Sequence, residues 1–151
     1  MKDVVVVGLG NLLMGDEGIG VRLVQTLSEM DDLRRVADFA DLGTSWARLL
    51  HVIAGRRKAV LVDCARMGAA PGEIRRFTPA DVRSRKVPGG ASDHEADLLQ
   101  TIELSRRLGE CPDEVVIFGI EPARVEPRDE LSPALEARLS DYMRTIAAEL
   151  E

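Results

Sequence analysis

Residues 3–20, read DVVVVGLGNLLMGDEGIG, put a strand, a loop and a helix in a set order. Val4 to Val7 are four consecutive β-branched residues, which suits a central strand covered on both faces. Glycines at 8, 10, 15, 18 and 20 break up the next stretch, and Ile19, Leu23, Val24, Leu27 and Met30 then recur at helical spacing. In an α/β sheet, a loop of this kind lies at the carboxyl end of its strand, where such folds bind ligands.

The loop does not read as a dinucleotide site. The glycine after Gly10 comes at position 15, so G-x-G-x-x-G is not met. The helix also opens on Asp16 and Glu17. Two carboxylates at the positive end of a helix repel the phosphate that such a terminus otherwise attracts. Carboxylates in a pocket suit a divalent cation instead. The alternative for the same pair is that Asp16 caps the helix and Glu17 offsets its dipole.

Further strands are predicted over 35–40, 58–63, 73–77 and 115–120, the stretch 73–77 lying at an edge. Helical patterns cover 45–53, the segment after Ser92 and 132–150. Ser92-Asp93-His94-Glu95 fits a capping box, and Pro133 suits a first helical turn. Residues 78–93 read as a long loop. Strands alternating with helices predict an α/β three-layer sandwich, a mostly parallel, twisted five-stranded sheet with helices on both faces. At 151 residues the chain is expected to form a single domain, 1–151.

Bulk properties narrow the function. A formal charge of −6 argues against a nucleic-acid partner. No apolar stretch reaches membrane-spanning length, and the run after Lys2 is too short for a signal peptide. The two cysteines, Cys64 and Cys111, make no disulfide framework, so a reducing, cytoplasmic setting is expected.

Right-handed crossovers let the first and third strands flank a point where the winding reverses. That brings Glu17, on the first loop, and Asp63, ending the third strand, to one edge of the sheet. His94, as the second residue of its helix, sits where the dipole disfavours imidazolium and leaves the neutral ring a metal needs. Glu17, Asp63 and His94 make a mixed oxygen and nitrogen set suited to zinc, nickel, cadmium or iron, the alternative being three unrelated polar residues at a cleft. The other histidine, His51, falls inside a helical pattern and is expected to be structural. Two other classes stay open: a thiol protease using Cys64 with His94, and a non-catalytic nucleotide- or metal-binding α/β module. Against the first, Cys64 directly follows Asp63, so in an extended strand it points the opposite way, into the sheet packing.

These residues resemble the hydrogenase maturation proteases, which remove a C-terminal extension from the large subunit of nickel–iron hydrogenases. GLGNLLMGDEGIGVRLVQTL (residues 8–27) is similar to the family's G-x-G-N-x-L-x-x-D-[DE]-x-x-G signature. Asp63 with the adjoining ARMGAAPGEI matches a second signature, and SDHEADLL (92–99) a third. FGIEP (118–122) and ELSP (130–133) resemble the closing segments. The resemblance implies that Glu17, Asp63 and His94 contact a metal. It further implies that this metal is nickel carried by the immature large-subunit precursor, with cadmium or zinc as a substitute in crystals. Catalytic residues beyond that neighbourhood are not assigned. The chain departs from the family pattern at Glu95 and Asp97, which add negative charge beside the histidine. Arg75, Arg76, Arg83, Arg85 and Lys86 surround the long loop and are a candidate docking surface for the precursor.

Overall fold

The computed structural model describes residues 1–84 and 93–151, without the side chains of 93–95. The sheet comprises β1 (Val4–Leu9), β2 (Asp38–Gly43), β3 (Lys58–Cys64), β4 (Ile74–Phe77) and β5 (Glu114–Ile120), in the order β2-β1-β3-β5-β4. Every pairing is parallel except that of β4 with β5. The expected mostly parallel five-stranded sheet is therefore present, with its short edge strand antiparallel.

Alternation along the strands builds two cores. Val4, Val6, Val60, Val62, Val116 and Phe118 face α1 (Ile19–Leu27), α6 (Pro133–Glu136) and α7 (Leu139–Glu149). Val5, Val7, Ala59, Leu61, Val115 and Ile117 face α3 (Trp46–Ile53), α4 (Pro79–Arg83) and α5 (Asp93–Arg107). Helices on both faces make the three layers. Trp46 packs against the second core, and His51 is exposed on α3.

Three elements differ from expectation. The second strand starts at Asp38, because α2 (Asp31–Arg34) and the amides of Val36 and Ala37, both donating to Leu33 O, keep the chain coiled until then. The long loop contains α4, whose cap Thr78 receives the Asp81 amide while the Asp81 carboxylate accepts the Thr78 amide. The last helix is two helices. Arg138 N donates to Leu135 O, tightening the turn between them, and the apolar stripe then continues through Tyr142 and Ile146. The capping box at Ser92 lies outside the described residues; α5 itself is present from Asp93.

The route β1-α1-β2 winds one way from β1, and α3 carries the chain back across the other face to β3. The winding thus reverses between β1 and β3, and their carboxyl ends open a crevice. At the opposite end of the strands, the buried Lys58 donates to Glu149 Oε2 at 2.6 Å, and Arg76 Nε donates to Glu149 Oε1 at 2.7 Å. Among the described residues, no helix is long and apolar enough to cross a membrane.

Candidate functional site

The crevice is built by close backbone packing. Between β1 and α1 the chain makes one 3-10 turn, Gly15–Gly18, which carries Asp16 and Glu17. At Gly10 φ is +131°, and a Cβ there would lie 2.0 Å from Glu17 O. Only glycine lets the turn fold back so tightly. At Gly20 a Cβ would lie 2.2 Å from Val62 O, so the first turn of α1 rests directly on β3. Val62 precedes Asp63 in the strand. The contact therefore presses the start of α1, three residues beyond Glu17, onto the strand end that holds Asp63.

Asp63 is 8% exposed, and its Oδ1 accepts the amide of Cys64 at 2.8 Å. Alternation places it on the side of Ala59 and Leu61, facing the layer of α3 and α5. Glu17 is half-buried on the opposing lip. The backbone at His94 is in the first turn of α5. That helix runs toward the amino ends of the strands, because its last residues lead into β5. The side chain of His94 lies outside the described residues, so the three-residue set is described in two of its members. Among the described residues, no three His, Cys, Asp or Glu side chains form a group able to hold a metal.

Asp16 does not do the capping that was the alternative reading of the acidic pair. It makes no cap hydrogen bond and is completely buried. Its Oδ2 accepts the amides of Ala123 and Arg124 at 2.8 and 2.9 Å and the Ser132 hydroxyl at 2.8 Å. Its Oδ1 accepts the Ser132 amide at 2.7 Å. Burial pushes this carboxyl up, but the Ser132, Arg124 and Ala123 donors together outweigh burial and hold it below the usual carboxylate range. Glu121, 6% exposed, acts in the same way on the next loop: its Oε1 accepts the amides of Met67 and Ala69 at 2.7 and 2.9 Å. Two buried carboxylates thus fix the loops that flank Glu17 and Asp63. A segment such as 121–132, polar and without a strand of its own, needs outside partners for its amides. That need was the available sequence signal.

Cys64 packs against the core on the α1 side, as alternation predicts. Burial first, then the charges of Asp63, Glu17 and Asp16, push its thiol far up and keep it protonated. A protonated thiol is a poor nucleophile, and this one lies on the α1 side of the sheet while α5 covers the other face, so both observations weigh against a thiol-protease reading. The charges of Asp63 and Glu17 both reach this one sulfur. Of the basic residues expected at a docking surface, Arg75 pairs with Glu73 and Arg76 with Glu149, while Arg85 and Lys86 lie outside the described residues. A groove of about 420 Å³ between α4 and α5 contains neither Glu17 nor Asp63.

Comparison with known proteins agrees with this architecture. Residues 21–149 match the family model described as hydrogenase maturation protease. The chain is 30% identical to the hydrogenase 2 maturation protease of Escherichia coli over 152 residues, 97% of this chain and 90% of that protein. Among solved structures, it is similar to the E. coli hydrogenase maturating endopeptidase HybD, with TM-score 0.83, 28% identity and coverage of 99% of this chain and 92% of that one. The [NiFe] hydrogenase maturation protease HybD from Thermococcus kodakarensis shares the fold, with TM-score 0.78, 21% identity and full coverage of both chains. A sheet wound in this order and a match along nearly all its length place the chain in the hydrogenase maturation protease family, and it is a peptidase.

Proposed function

We propose that this protein, acting as one domain over residues 1–151 in a reducing cytoplasmic compartment, cleaves the C-terminal extension from the precursor of a nickel–iron hydrogenase large subunit. It does so once nickel has been inserted. Glu17, Asp63 and His94 contact the nickel that the precursor carries. The observation that carries this reading is the Gly20–Val62 contact, which brings the two acid-bearing segments to one crevice. Helix α5 supports it, since its first turn starts from the carboxyl edge of the sheet.

The donor chemistry fits an ion held in common. Two carboxylates and an imidazole, without a thiolate, make a site of modest affinity for a borderline metal. Such a site suits reading an ion on a substrate, and cadmium or zinc would occupy it in crystals. Nickel so placed is able to polarise an oxygen ligand. The residues of this chain do the positioning: Asp16 and Glu121 hold the flanking loops, and the crevice receives the peptide to be cut. The test is incubation with purified nickel-free and nickel-loaded precursors, following loss of the C-terminal peptide by mass. Cleavage of the nickel-loaded form alone is expected. Equal cleavage of both forms would contradict nickel recognition.

A further inference from the structure

Leu13 is 69% exposed, at the tip of the loop between β1 and the 3-10 turn and four residues before Glu17. Single exposed leucines are ordinary on protein surfaces. Leu13 differs in how its backbone is held. Its amide donates to Asn11 Oδ1 at 2.9 Å, and its carbonyl accepts the Arg128 amide at 2.9 Å. On either side, Met14 N donates to Asn11 O at 3.1 Å and Gly15 N to Arg128 O at 2.7 Å. Through Asp16, the same loop is tied to residues 123, 124 and 132. Both polar groups of Leu13 are thus satisfied within the protein, and its neighbours are pinned, while its isobutyl group is left in water. The other strongly exposed leucines, Leu104 and Leu108, lie at the far end of α5, toward the amino ends of the strands.

From this geometry we infer that Leu13 is a substrate-contacting residue. It offers an apolar contact to an apolar side chain of the large-subunit precursor seated at the crevice. The inference rests on the proposed function, since it takes the precursor as the occupant of the crevice. A leucine already fixed in place binds at little ordering cost, so the contact is expressed in affinity and not in the chemical step.

The test measures equilibrium binding of nickel-loaded precursor, and separately its cleavage, for the wild type, Leu13→Ser and Leu13→Met. Leu13→Ser should raise both Kd and KM about tenfold, leave kcat within about twofold, and leave the melting temperature unchanged. Leu13→Met, which keeps the apolar bulk, should stay close to wild type. Equal binding by the wild type and Leu13→Ser would overturn the contact, as would equal loss in the serine and methionine variants. Binding that depends on Leu13 without any cleavage would support the contact and overturn the proposed function. A wild-type protein that does not bind the precursor would overturn both.

Discussion

Asp16 and Ser132, 116 positions apart, are joined twice: the amide of Ser132 donates to Oδ1 at 2.7 Å and its hydroxyl to Oδ2 at 2.8 Å. The neighbouring Glu17 is half-buried and, on the proposal, faces the metal. Two adjacent acids should therefore fail in different ways. Asp16→Asn sets an amide against donors and should cost about 2–4 kcal/mol of stability by thermal or urea unfolding. Glu17→Gln should stay within about 0.5 kcal/mol of wild type. Its precursor processing should nonetheless fall more than about tenfold.

Glu121 offers a parallel case on the other lip. Glu121→Ala would strip the partner from the amides of Met67 and Ala69, the first belonging to a fully buried residue. Unfolding should show a loss of about 2–4 kcal/mol. Amide exchange should accelerate first in residues 65–72, before the sheet opens.

Cys64→Ser should retain cleavage. The thiol is held protonated by burial and by the charges of Asp63 and Glu17, so no thiolate is available to lose. Iodoacetamide should label Cys64 slowly at neutral pH, and the serine variant should process precursor at close to the wild-type rate.

Glu149 sets the acid limb of stability. The Arg76 hydrogen bond, against the opposing effect of burial and with help from Lys58, lowers its carboxyl from 4.5 to about 2. A group whose folded value is depressed stabilises the fold above its unfolded value, and that stabilisation disappears as pH falls through the folded one. Its contribution is therefore full above about 4.5 and is lost on the way down to about 2. Asp16, shifted in the same direction, adds to the slope. Glu149→Gln should cost about 2 kcal/mol at neutral pH and flatten the melting-temperature decline in acid.

The fold was legible because strand and helix periodicities are strong in Val4 to Val7, in the KAVLVD run and in the stripe from Leu135 to Leu150. Two boundaries were harder to read. Arg35 to Ala37 look extended, but Leu33 O captures the amides of Val36 and Ala37 and delays β2. The Thr78–Asp81 box carries Asp where the usual pattern has Glu or Gln, and it opens a helix of only five residues. Of the candidate residues, the segments bearing Glu17 and Asp63 could be brought to one rim from strand order and right-handed crossovers. The work of Asp16 and Glu121 could not be read locally, since their partners are 107 to 116 and 52 to 54 positions away.

A crystal soaked in cadmium tests the shared metal contact most directly. The account predicts one ion about 2.0–2.6 Å from a carboxylate oxygen of Glu17, a carboxylate oxygen of Asp63 and a ring nitrogen of His94. An ion bound elsewhere on an unchanged fold, with these three side chains turned away from one another, would contradict it.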